Sequence, residues 1–297
     1  MLTQKQIKEF RAYLKKAENP IFFFDDDPDG LAAALVLYKK YQRGHLIPVK
    51  IPYHQYDLYL NKIKELSPDV VFILDRAVVP QEMIDQVNVP IIWLDHHEPL
   101  KRHGVHYYNP LLQPKKDNKC TTYWAYKIAG TKKTMWIAMV GIFADWMVPE
   151  FLSQFAYKKL LNGQKTAPSI MFDSEYGKII RMFSYALKGE MKDVKINLEY
   201  LKAVKTPEEL LHQTTPAGKH LHSHFLKFHK EYEELLHQAQ KEAQGQRKEK
   251  MFVFVYPSIK NSFTGELSNE LLYRLKKPFI VVGRQKNDDV RLSLRGK

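Results

Sequence analysis

Four apolar runs punctuate the first hundred residues, at 20–24, 46–52, 69–74 and 89–94, and the stretches between them, 30–43, 56–66 and 80–86, read as helices. A further helix is predicted over 4–18, where Ile7, Phe10 and Leu14 share one face and lysines hold the other. The runs are apolar at successive positions rather than at alternate ones, which is the pattern of strands buried on both faces. Short buried strands alternating with helices imply a parallel sheet covered on both sides.

Beyond residue 119 the pattern is helical as far as about 246. Segment 134–146 is nearly all apolar and therefore buried, yet it carries Asp145. An ionised carboxylate in such surroundings is costly unless a metal or a basic side chain faces it. Segment 206–250 is rich in Gln, Glu, Lys and His and reads as a long connecting helix, with His220 and His224 at i,i+4 spacing as a candidate zinc pair that no Glu accompanies. Residues 251–297 change character again, with strands expected at 251–256, 279–283 and 290–295 and a helix at 266–276. Forty-seven residues are marginal on their own, so this part is expected to pack on the rest. The predicted fold class is thus α/β: a parallel sheet flanked by helices (1–205), a helical connector (206–250) and a small α/β C-terminal domain (251–297).

Each strand of the first part ends in polar residues. The first runs into Asp25-Asp26-Asp27-Pro28-Asp29-Gly30, the third into Asp75 and the fourth into Asp95-His96-His97. In an open parallel sheet ligands bind outside the carboxyl ends of the strands, so these three segments should meet in space. Crowded carboxylates raise one another's pKa unless a cation neutralises them. A helix N-cap with an acidic first turn would use only one or two of the four aspartates. Together with Asp145, the groups collected are Asp25, Asp27, Asp29, Asp75, His96, His97 and Asp145. Carboxylates mixed with imidazoles suit manganese, and magnesium less well because it prefers oxygen throughout. The carboxylates suffice for two ions sharing a bridging aspartate.

Composition narrows the function further. At 297 residues the chain has room for about two domains, and 44% hydrophobic residues can build their cores. No run of 18 apolar residues and no signal region is present, so a membrane role is not expected and the cytoplasm is the expected compartment. The single cysteine, Cys120, allows neither an internal disulfide nor a cysteine zinc site. Against this, the net charge is +13. A basic chain with one concentrated acidic spot suggests a metal site embedded in a surface that attracts polyanions, nucleic acid foremost.

In the order and spacing of four motifs the chain resembles the DHH phosphoesterase superfamily, and within it the RecJ-like single-strand nucleases, especially the short archaeal forms. Asp25-Asp26-Asp27-Pro28-Asp29-Gly30 matches the first motif, Asp75 the second, Asp95-His96-His97 the name-giving triplet, and Gly141 with Asp145 the fourth. The resemblance covers residues 20–150. It implies that Asp27, Asp29, Asp75, His96 and Asp145 hold two Mn2+ ions, with Mg2+ as a substitute, that Asp75 bridges them and that Asp25 is a further or outer ligand. It also implies a catalytic pair of Asp75 and His97, with His97 acting on the scissile phosphate. Arg76, directly after Asp75, departs from the family's small residue and would either put a cation beside the metals or point away.

Two further departures shape the expected activity. Phe23 stands where pyrophosphatases of the superfamily carry a histidine, which favours the RecJ-like branch. Residues 251–297 resemble the start of the DHH-associated C-terminal domain, and the Gly-Gly-His motif that follows in the family does not occur before Lys297. The substrate-binding part is therefore expected to be minimal, or to be completed by a partner or another subunit. The expectation is a manganese-dependent exonuclease or phosphodiesterase on single-stranded DNA, RNA or short oligonucleotides, with Arg284, Arg291, Arg295, Arg76 and the lysines of 241–250 contacting substrate. The alternatives are a weakly active scaffold for a replication or repair partner, and a hydrolase of a cyclic dinucleotide or pyrophosphate. Homo-oligomerisation is the other expected association.

Overall fold

The computed structural model describes residues 1–50, 55–246, 249–257, 261–286 and 289–296. The end of the expected second strand (51–52) and Lys248 of the expected basic stretch lie outside them. In chain order the elements are α1 (Gln4–Lys16), β1 (Pro20–Asp25), α2 (Pro28–Tyr41), β2 (His45–Val49), α3 (Asp57–Leu66), β3 (Val70–Leu74), α4 (Gln81–Ile84), β4 (Ile91–Leu94), β5 (His106–Tyr108), α5 (Thr121–Ala129) and α6 (Met135–Ala144). There follow α7 (Ala167–Asp173), α8 (Glu175–Ala186), α9 (Met191–Ala203), α10 (Pro207–His212), α11 (Pro216–Gly245), β6 (Met251–Pro257), α12 (Thr264–Leu275), β7 (Phe279–Lys286) and β8 (Asp289–Gly296).

The first sheet is fully parallel in the order β2-β1-β3-β4-β5. Its strands are apolar at every position because each face has its own core. Phe22, Phe24, Phe72, Leu74, Ile92 and Leu94 pack beneath α1, α2, α5 and α6. The alternate residues Ile21, Phe23, Val71, Ile73, Ile91 and Trp93 pack against α3 and α4. Helix α2 is buried from Asp29 through Leu37, and α6 from Met135 through Phe143, which explains why neither shows a polar stripe.

Residues 206–250 form two helices rather than one, parted after His212 by Gln213 in the left-handed region at φ 55°. The 30-residue α11 is no bare span. It buries Leu221, Phe225, Phe228, Tyr232, Leu235 and Leu236 and packs along α8, α9 and α12. His220 bonds the Asn197 side chain at 3.0 Å and His224 the Tyr185 carbonyl at 2.9 Å, so the suggested zinc pair is spent on two separate structural contacts.

The second sheet, β6-β7-β8, has a parallel and an antiparallel pair, with α12 on one face. It is fastened to the helical layer through Glu270 of α12, which is fully buried. This carboxylate accepts from Arg274 Nε (2.7 Å), from Arg181 of α8 (3.1 Å) and from the Tyr232 hydroxyl of α11 (2.5 Å). Three elements therefore converge on one charge that none of them can leave unpaired without a large desolvation cost.

Candidate metal centre

Strand register assembles the site. Phe24, Leu74, Leu94 and Tyr108 occupy one row across β1, β3, β4 and β5, so the next residue of each strand, Asp25, Asp75, Asp95 and Asn109, emerges at one level. Asp75 turns off its strand with φ 59°, a left-handed conformation that costs a non-glycine residue energy and is held only where its surroundings impose it. The restraints are its backbone N–H to the Leu94 carbonyl (2.9 Å) and the Thr121 hydroxyl to its Oδ1 (2.9 Å).

The acidic loop closes around α2. Asp27 is the N-cap, accepting from the Gly30 N–H at 2.9 Å. Gly30 cannot be replaced without disturbance, since a Cβ there would lie 2.7 Å from both the nitrogen and the oxygen of Asp25. Asp29 is buried and faces a second helix start: its two carboxylate oxygens accept from the N–H groups of Thr121 and Thr122, each at 2.9 Å, where the exposed amides of α5 favour negative charge. Asp145 ends α6, which approaches so closely that a Cβ on Gly141 would meet the Thr122 Oγ1 at 2.3 Å and the Ala32 Cβ at 3.0 Å.

The two histidines are held differently. His96 Nε2 lies 3.4 Å from Asp75 Oδ1 and 4.0 Å from Asp29 Oδ2. His97 donates through Nδ1 to Asp95 Oδ1 at 2.7 Å and through its backbone N–H to Oδ2 at 3.2 Å. Asp95 has no solvent exposure and is further bound by the Tyr107 hydroxyl (3.2 Å) and the Asn109 amide (3.3 Å). Asn109 also donates to the His97 carbonyl at 2.8 Å, so the Asp-His-His turn is fixed from two sides.

Electrostatics set the cluster apart from the rest of the surface. Burial first, then Asp29 and Asp25, push the Asp27 carboxyl up to about 7. Burial with Asp29 and Asp27 pushes Asp145 up to about 8, and Asp75 is raised well above the usual carboxylate range by burial and the same neighbours. Burial lowers His96, favouring its neutral, ligating form, while the hydrogen bond to Asp95 raises His97 and favours its charged form.

This donor set fits a divalent cation. One ligand atom from each of Asp75, His96 and His97 lies within 4.8 Å of the others, and the mutual repulsion of Asp27, Asp29 and Asp145 is relieved by positive charge at the same place. Asp25 is taken up by an ion pair with Arg76, which places a guanidinium at the edge of the cluster. Asp26, the one aspartate outside the Asp-x-Asp-x-Asp spacing, turns away to Lys50 at 3.0 Å.

A cleft of about 830 Å³ opens beside the cluster, running from Asp26 and Asp27 past Lys50, Arg181 and Lys188 to Asn269 and Arg295 of the small sheet domain. Arg295 is steadied there by its Nε bond to Asn269 at 2.7 Å. Arg284 and Arg291 face each other in the β7–β8 register and do not line this cleft. Thr121, Thr122, Asn109, Lys50 and Lys188 escaped the sequence reading. The Thr pair just before the apolar start of a helix was the available signal for a helix N-terminus; the others carry none, because only the fold brings them here.

No protein-family model and no curated protein matches the chain. Solved structures do. RecJ from Thermus thermophilus in complex with Mn2+ matches 100% of this chain with a TM-score of 0.67 at 16% identity, and the chain spans 48% of that protein. An exonuclease RecJ bound to manganese matches 100% of this chain and 83% of its own length, with a TM-score of 0.64 at 14% identity. The DHH domain of a protein from a family of ribosomal proteins gives 0.67 over 98% of this chain and 76% of its own, at 13% identity. At such low identity it is the TM-scores of 0.64–0.67 that show a shared fold.

Proposed function

We propose that this chain, which carries the RecJ-like DHH fold, is a divalent-metal-dependent phosphodiesterase that hydrolyses single-stranded nucleic acid or short oligonucleotides from an end. The observation that carries the reading is the approach of His96 to Asp75 at 3.4 Å, with His97 within 4.8 Å of both and further aspartates around them, beside a cleft whose lining carries five basic and five acidic side chains.

Asp27, Asp29, Asp75, His96 and Asp145 are the residues assigned to hold two ions, Mn2+ by preference since the set mixes imidazole with carboxylate. Bound there, such ions supply a lowered pKa for water and stabilisation of charge developing on phosphate oxygens. His97 is assigned to the substrate rather than to the metal. Its Nδ1 is committed to Asp95 and its charged form is favoured, which suits a donor to a phosphate oxygen, whereas a ligand must be neutral. Asp95 is its positioning residue. Arg76, held by Asp25, contributes a fixed positive charge on the same side. Lys50, Lys188 and Arg295 line the path along which a polyanion would run, and Arg284 and Arg291 extend the basic surface of the small domain.

The test is incubation of the chain with Mn2+ and single-stranded DNA and RNA labelled at either end, with Asp75→Asn as control. A ladder from one end, absent in Asp75→Asn, is the expected result. Cleavage undiminished in the variant refutes the assignment. Binding of single strands without products under any divalent metal identifies a scaffold, and turnover confined to a cyclic dinucleotide or pyrophosphate identifies a small-substrate hydrolase.

A further inference from the structure

The two sheets share a sequence character but not a fate. Strands β1, β3 and β4 are apolar at every position and covered on both faces. Strand β6, Met251-Phe252-Val253-Phe254-Val255-Tyr256, is equally apolar, yet only Phe252, Phe254 and Tyr256 are buried, on the side where α11 packs and where the Tyr256 hydroxyl meets Thr264 of α12. Met251, Val253 and Val255 point out beside Phe279 of β7 and Leu292 and Leu294 of β8, the two leucines being 64% and 62% exposed. The register aligns twelve positions on this outer face. The others are two valines, a proline, two glycines and Gln285, and not one of the twelve is charged. On a chain of net charge +13 that is a pronounced exception. An exposed continuous apolar face of this kind marks an association surface.

We infer that the outer face of β6-β7-β8 is where two copies of this chain pack together, sheet against sheet. A two-fold contact sets each residue type against itself, and an uncharged face is self-complementary without like-charge repulsion, which the lysine-rich remainder of the surface could not offer. The exposed side chains amount to roughly 600 Å² per copy, approaching the ~800 Å² per partner of a stable interface. On the free edge of β6 the Gln246 side-chain amide takes up the N–H and carbonyl of Val253, at 3.3 and 3.2 Å, in the middle of the strand. That leaves the face, rather than this edge, for docking. The pairing is independent of the metal chemistry and leaves the cleft, on the α12 side of the sheet, open.

Sedimentation velocity of the full chain over a concentration series tests this. The expected mass is twice 34.9 kDa at high concentration, falling to the monomer in Leu292→Lys/Leu294→Lys with an unchanged circular dichroism spectrum. Leu226→Lys, at an exposed leucine of α11, leaves the dimer intact. Should the double variant fail to fold, Leu294→Gln alone is expected to weaken association about tenfold, for loss of roughly 1.4 kcal/mol of apolar burial. A wild-type chain that stays monomeric throughout, or folded variants that dimerise as tightly as wild type, overturns the inference. Mn2+ binding measured on the same samples separates this outcome from failure of the proposed activity.

Discussion

Removing or adding metal as pH is varied tests the centre without reference to any substrate. Asp27 and Asp145 titrate near 7 and 8 in the folded chain against 3.8 for a free aspartate. Folding therefore holds protons that the unfolded chain has released. For an acid raised in this way the stabilisation is complete below about pH 4 and is lost as pH rises through the folded values, so the metal-free protein should weaken steadily between pH 5 and 8. The carboxylates repel one another and release protons as a group, and one retained proton corresponds to a slope of about 1.4 kcal/mol per pH unit. That is a fall in Tm of about 2 °C per unit for a chain of this size. Mn2+ at a hundredfold excess over its Kd adds about 2.7 kcal/mol, or about 4 °C, and should do so at pH 8 far more than at pH 5.5, where protons compete for the same oxygens. Differential scanning fluorimetry of chelated and Mn2+-loaded protein at both values reads the effect, and Asp145→Asn should flatten the chelated profile. A metal shift equal at pH 5.5 and 8, or a chelated Tm that rises between pH 5 and 8, would refute the reasoning.

Three further outcomes follow from particular contacts. Asp95→Asn removes the charge that favours protonated His97, so activity should fall ten- to a hundredfold and the alkaline limb of the pH–rate profile should move to lower pH, while Mn2+ affinity changes less. Gly141→Ala drives a methyl into Thr122 and Ala32, costing about 1–3 kcal/mol in urea unfolding and weakening Mn2+ binding by displacing Asp145. Glu270→Gln leaves Arg181 and Arg274 without a buried counter-charge, and a loss of about 2–3 kcal/mol is expected, below the figure for a fully buried pair because Arg274 keeps some contact with water.

Much of the frame was legible from residue order. Continuous apolar strands at 20–24 and 69–74 declared a two-sided sheet, and the observed β1 and β3 match because burial on both faces leaves no polar position to mark. The aspartates of the first loop stood out since no cap needs four. What the pattern missed is equally physical. Strand β5 is three residues long and partly exposed, too short for periodicity to register. The division of 206–250 into α10 and α11 rests on the left-handed turn at Gln213, a residue with no strong turn signature.

The sequence by itself determined which chemistry is present: the carboxylates and imidazoles at strand ends, the apolar runs that place those ends at one edge, and a charge balance that attracts polyanions. Only the tertiary structure decided how the groups are used. Register set Asp25, Asp75, Asp95 and Asn109 in one row. Packing of α5 gave Asp29 its two amides, and the buried Asp95 fixed the His97 ring by a hydrogen bond. The small sheet drew one apolar face inward and left the other in solvent. These outcomes depend on contacts between residues tens of positions apart, such as Thr121 with Asp75 or Arg181 with Glu270, whose geometry no local pattern encodes.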